Sequence, residues 1–188
     1  FDDILIGEID TNLAVKWAKL ITAFGASDSK HTTQTKNMDY INGSLYLSGM
    51  MKGGFAPYGE EEARIASKST PLNGFVIKCD ASNGEWLGGV SADEQGIGGY
   101  FGVAKGKENN LYAYGYSWAT PNKGICLTTI DESSWEKTEK IALITETGMG
   151  TAWSCLADGT NFYSFSRGNK AVNFYNSEFT LPAPTGWG

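Results

Sequence analysis

One phased pattern recurs along the chain and limits the fold more than any other feature. An apolar stretch ends in Asp, a polar turn follows, and a Trp comes next. The copies are ILIGEID with Trp17, FVIKCD with Trp86 and CLTTID with Trp135, and Asp10, Asp80 and Asp131 lie 70 and then 51 residues apart. AVNFYN is a degenerate fourth copy, with Asn176 in the Asp position 45 residues further on. A second pattern keeps phase with the first. It is a short aromatic strand after a turn, in GSLYLSG around Tyr46, NLYAYGY around Tyr112 and NFYSFS around Tyr163. Self-similarity of this kind marks a repeat architecture, in which each unit buries its faces against its neighbours.

Alternation of apolar and polar residues between turn signals reads as β-strand. Four strands recur per unit, here called a to d. Strand a is expected at 37–41, 100–105 and 151–157, and strand b at 44–50, 111–117 and 161–166. Strand c is expected at 3–9, 74–79, 124–130 and 170–175, and strand d at 14–21, 85–90 and 137–144. Asn42-Gly43, Asn109-Asn110 and Asp158-Gly159 join a to b, and Asn83-Gly84 joins c to d in the second unit. Such dipeptides supply the positive φ values of tight hairpins. Each unit is therefore a four-stranded antiparallel meander. A lone meander cannot bury both faces, and stacking such sheets face to face is the β-propeller solution. GYFGVA and TAWSCLA suit inner strands, because their small residues allow close approach. No stretch sustains a helical period; the best candidate, Glu60-Glu61-Glu62-Ala63-Arg64-Ile65-Ala66, is at most two turns inside a long loop.

The expected architecture is all-β and β-propeller-like, with one repeat domain over 1–188. It comprises a partial unit at 1–21, units at 37–90 and 100–144, and a partial unit at 151–180. That makes about three blades, whereas propellers close with about four to eight. The chain starts inside a unit, without an initiator Met or signal peptide. It is read as an arc of an incomplete propeller, from a processed or partly observed polypeptide.

The formal net charge of −6 and the lack of a basic stripe exclude nucleic acid as a partner. Cys79, Cys126 and Cys155 sit in apolar strands and read as small buried hydrophobes, not a disulfide framework. No CxxC pair occurs and the lone His31 lies in a polar run, so no metal site is expected. No stretch is long and apolar enough to span a bilayer as a helix.

In a propeller the b–c and d–a loops emerge on one face, and here they are the long ones. The b–c loop at 51–73 carries Phe55, Tyr58 and the Glu run, and its counterpart in the next unit carries Tyr116, Trp118 and Pro121. The d–a loops carry Phe24, the Ser/Thr-rich 27–36 segment, Asp93, Glu94 and Met149. Binding residues concentrate on such loops. Phe55, Tyr58, Tyr116 and Trp118 are therefore candidate ligand- or partner-binding residues; the competing reading is that they pack under their own loops. Trp17, Trp86 and Trp135 recur with the repeat and are assigned to packing between sheets. Asp10, Asp80 and Asp131 are assigned to capping their turns. Asp39, Asp158, Asp93 and Glu94 lie on or near inner strands but in no catalytic motif. GxSxG, HExxH, P-loop and EF-hand patterns are absent. No catalytic residue and no cofactor are assigned.

NLYAYGYSW with GICLTTIDESSW, and SLYLSGM with GFVIKCDASNGEW, resemble the bacterial β-propeller repeats in which a strand "nlYvaGy" precedes a strand "fvaKld" and a Trp. AVKWAKLITAFG resembles the "lWakqfGg" boundary between such repeats. The departures are an insertion of about 20 residues in the second unit and a weak last copy. The resemblance implies export, since proteins of this kind are secreted or surface-anchored and some are lipoproteins accompanying outer-membrane nutrient importers. The expectation is a non-catalytic cell-surface or secreted binding or scaffold protein, with a protein partner in a surface complex or a glycan or peptide ligand. The alternative is a carbohydrate-active propeller, lectin-like or a glycoside hydrolase. A quinone-dependent dehydrogenase ranks last, because CDASNGEW matches its blade signature only loosely.

Overall fold

The computed structural model describes residues 3–25, 34–67, 72–92, 97–117, 124–142, 149–157, 161–168, 172–173 and 180–181. Among them there are strands and no helix. Two complete a–b–c–d meanders stand in chain order. The first is β3 (Gln34–Ile41), β4 (Ser44–Met51), β7 (Asn73–Asp80) and β8 (Trp86–Ser91). The second is β9 (Ile97–Lys105), β10 (Asn110–Ser117), β11 (Gly124–Asp131) and β12 (Lys137–Ala142). All pairings are antiparallel, and each expected strand is found within a few residues of its place.

A further four-stranded sheet, first in chain order with the two meanders second and third, begins with the c–d hairpin β1 (Ile4–Ile9) and β2 (Val15–Phe24). Its other two strands come from the long b–c loop of the following unit. β5 (Gly54–Pro57) pairs with β2, and β6 (Ile65–Ala66) pairs with β5, giving the order β1-β2-β5-β6. The insertion is thus a strand return to the neighbouring sheet, not the long loop that the sequence suggested. Two pairs follow the meanders. β13 (Met149–Ala157) pairs with β14 (Phe162–Gly168), and β15 (Val172–Asn173) pairs with β16 (Thr180–Leu181). Of the strand c expected at 170–175, only Val172 and Asn173 are among the described residues.

The sheets stack in chain order. Ile4, Ile6 and Ile21 of the first sheet meet Leu47, Phe75 and Ile77 of the second in one buried cluster. Phe55 and Ile65 of the returned strands belong to that same cluster. Tyr46, Val76 and Val90 meet Tyr100, Val103 and Ile130 of the third sheet in the next. β13 lies against β9 and β10, over a cluster that includes Phe101, Tyr114 and Ile125. Alternate residues of the middle strands thus serve opposite neighbours, as the strand period of two requires. Phe75, Ile77 and Cys79 face backward along the chain, and Val76 faces forward.

The Asp turns are built alike. Asp10 accepts from the Asn12 and Ala14 amides at 2.8 and 3.0 Å. Asp80 accepts from the Ser82 amide and hydroxyl at 2.7 and 2.6 Å. Asp131 accepts from the Ser133 amide and hydroxyl at 2.8 and 2.5 Å. These bonds favour the carboxylate and hold Asp80 and Asp131 below the usual range, with the serine hydroxyl the larger contributor in each. The recurrent Asp is a turn cap. The Trp is not one backbone position. Trp135 occupies the fourth residue after its Asp, with φ of 61°, where the second sheet has Gly84 at 74°. Trp86 opens strand β8 two residues beyond that point, and Trp17 pairs with Glu8 inside the first hairpin.

Candidate functional site

A groove of about 630 Å³ runs between the first and second sheets. One wall is the outer side of the first sheet, with Lys19 on β2, Tyr58 just after β5 and Arg64 just before β6. The other wall is the c–d turn of the second sheet, with Asn83, Glu85 and Trp86. Ile21 and Cys79 line the floor.

Each wall is fixed by its backbone. The Tyr58 amide donates to the Leu20 carbonyl at 3.1 Å, which ties the residue to β2. Gly59, at φ of 92°, turns the chain away, and the Arg64 amide returns to the Phe55 carbonyl at 2.9 Å. The Arg64 guanidinium donates to Glu60 through Nε at 2.9 Å and through a second nitrogen. Arg64 is thereby held over the groove in a planar, two-point contact. Opposite, the Glu85 amide donates to the Asn83 side chain at 2.8 Å. Gly84 allows the turn to approach the first sheet: a Cβ there would lie 2.5 Å from the Trp17 ring.

The groove therefore offers an exposed phenol ring, an indole edge, two cations, one carboxylate and an amide. The Tyr58 side chain is 74% exposed, the condition for a face that stacks on a ligand. The Cys79 thiol on the floor is buried, and burial pushes it up to about 11, so it stays protonated and unreactive at neutral pH.

Three of the four aromatics expected to form a binding face are among the described residues, and one of these is exposed on the groove. Tyr58 lines it. Phe55 is fully buried, edge-on to Phe75 at 5.0 Å between ring centroids, and packs beneath its own segment. Tyr116 is buried in one cluster with Tyr114 and Phe101. Phe55 and Tyr116 are thus core side chains, because strand pairing drew the start of each loop into a sheet. Trp118 lies outside the described residues, as do Asp93, Glu94 and Asp158. Asp39 is on β3, where its carboxylate accepts from the Val103 amide at 2.9 Å and from Asn37. Burial raises its affinity for a proton and those bonds oppose the rise. No second carboxylate contacts it in the hydrogen bonds described. Among the described residues no three His, Cys, Asp or Glu side chains gather in a metal-binding arrangement.

No protein family model matches the chain, and no curated protein matches it in sequence. Geometry and residue chemistry carry the functional reading.

Sequence reasoning missed two features, one in the groove and one outside it. Lys19 and Arg64 are ordinary surface residues in the linear chain, and only the β2–β5 pairing brings them together. The Glu132 cluster was missed for a similar reason. Glu132 follows the turn Asp of the third sheet and accepts from Tyr46 Oη at 2.5 Å, from Lys105 Nζ at 2.5 Å and from the Lys78 ammonium. Tyr46 and Lys78 belong to the second sheet, so this carboxylate latches two sheets together. Burial works against its charge, but the three donors prevail and leave it at about 2.

Proposed function

We propose that this chain is a non-catalytic binding or scaffold protein of a cell surface or secreted setting, and that the groove between its first two sheets is where a partner docks. The observation that carries the reading is Tyr58: an exposed ring at the end of β5, tied by its amide to β2, lining with Arg64 and Trp86 a recess between two sheets. Tyr, Trp and Arg dominate the energy of protein interfaces, most of all when a rigid scaffold presents them. The repeat resemblance supports the setting, and an accessory role in an outer-membrane nutrient-uptake complex is the form of it we favour. The test is co-purification from native membranes with the unaltered chain and with Tyr58→Ala and Arg64→Glu. A defined partner that both variants lose supports the reading. A partner retained in full by both removes the groove from it.

The same ring favours a second reading, a lectin-like site, since sugar faces stack on Tyr and Trp beside polar groups. A glycan array decides it: binding that Tyr58→Ala abolishes supports a carbohydrate ligand, and no binding by the intact chain sinks it.

A further inference from the structure

The groove between the first two sheets holds two opposite charges that do not meet. Lys19 stands on one wall and Glu85 on the other. No hydrogen bond or ion pair joins them, and neither side chain has another charged partner among the described residues. Arg64 differs. Its guanidinium is already matched by Glu60, so that pair adds no net charge to the groove. The uncompensated charges are therefore one cation and one anion, one on each wall.

Both charges have fixed roots. Gly84 lets the Lys19 stem lie against the opposite turn: a Cβ on Gly84 would stand 2.7 Å from Lys19 Cγ. The Glu85 amide donates to Asn83 at 2.8 Å, and its carbonyl accepts from the Asp80 amide at 2.8 Å. The Tyr58 ring, tied to β2 through its amide, lines the same recess. Charges on fixed roots select a ligand by sign and position, and little ordering cost falls on the protein side.

The balance of charge decides which ligands fit. A polyanion would meet Glu85 and a polycation would meet Lys19, in each case a like charge at close range. A ligand carrying one group of each sign satisfies both walls. An extended peptide can do so, because its successive side chains point to opposite sides. The recess of about 630 Å³ suits a short segment, not the surface of a folded domain.

We infer that the groove takes an extended segment of a protein partner, with an acidic and a basic side chain an odd number of residues apart. The acidic side chain pairs with Lys19 and the basic one with Glu85, while the Tyr58 ring packs on the segment beside them. The inference rests on the reading of this groove as a docking site, and it adds the chemistry of what docks.

The test uses the whole chain as bait for a phage-displayed library of random linear peptides. The expected result is enrichment of an acid and a base at odd spacing. A synthetic form of the strongest peptide should lose about tenfold or more in affinity for Lys19→Glu and for Glu85→Lys. A crossed pair guards against misfolded variants. The same peptide with its acid and base exchanged should bind the Lys19→Glu/Glu85→Lys chain more tightly than it binds the unaltered one. Selected peptides that lack the paired charges, or whose affinity neither reversal changes, overturn the inference. The docking reading is judged apart from it. A membrane partner lost on Tyr58→Ala and Arg64→Glu, with no charge-paired peptide selected, keeps that reading and sinks this inference. Glycans bound through Tyr58, again with no peptide selected, sink it too.

Discussion

The glycines of the b strands show how a single residue sets this fold. Gly49 and Gly115 hold the same repeat position, the Gly of the Tyr strand. A Cβ on either would stand 2.1 Å from a carbonyl oxygen of the adjoining a strand, that of Gln34 or Gly99. The pairing register shifts close to both contacts, so the a strand bends inward there. No rotamer relieves a clash between Cβ and backbone. Gly115→Ala should therefore cost about 3 kcal/mol, at the upper end of overpacking losses. Gly43 is the control: it has φ of 81° and open space around its missing Cβ. Gly43→Ala should cost only about 1–2 kcal/mol, from the left-handed backbone alone. Urea midpoints measure both, and equal losses would refute the steric account of the motif. The same scale marks a limit of the sequence. The Trp recurrence was legible, but Trp135 holds the left-handed site that Gly84 holds elsewhere, and spacing alone placed it beside Trp86.

The elements divide by how local their partners are. Strands β3, β4 and β7 to β12 were legible because alternation, Asn-Gly turns and the Asp cap all act within a few residues. β5 and β6 were not, since GGFAPYG carries Gly and Pro like a loop and its partner β2 lies far back in the chain. Nothing periodic in four residues announces a pairing with Ile21 and Thr22. Burial of Phe55 among Ile21, Ile65 and Phe75 is what rewards that long loop closure. Phe55→Ala should then cost about 3–5 kcal/mol and release the return. Hydrogen exchange reads it locally: the Ala56 and Tyr58 amides should lose protection while those of β10 and β11 keep theirs. Protection lost uniformly would mean that the return is integral to the whole stack. Because Tyr58 and Arg64 flank these strands, ligand binding should fall with that protection.

At the scale of the whole molecule, sheets are joined by polar latches as well as by apolar clusters, and the latches give stability a pH dependence of known sign. Glu132 is held at about 2, below its ordinary 4.5, through Lys105, Lys78 and Tyr46. A depressed carboxylate contributes stability above its unfolded value and loses it as pH falls through the folded one. The second and third sheets should therefore loosen between about pH 4.5 and 2. Asp39 has the opposite sign. Burial raises it above 3.8, so its contribution is present below that value and is lost as pH rises through the folded value. On acidification Asp39 offsets part of what Glu132 loses. Two variants separate them in urea midpoints measured from pH 2 to 7. Glu132→Gln should lose about 2 kcal/mol at pH 7, the worth of hydrogen bonds to a charged group, and should flatten the acid limb. Asp39→Asn should steepen the loss in mildly acid solution, because the offset is gone while the Val103 amide keeps an acceptor. An acid limb left unchanged by Glu132→Gln would place the pH dependence outside this latch, and the two sheets would then rest on the Tyr46, Val76 and Tyr100 cluster alone.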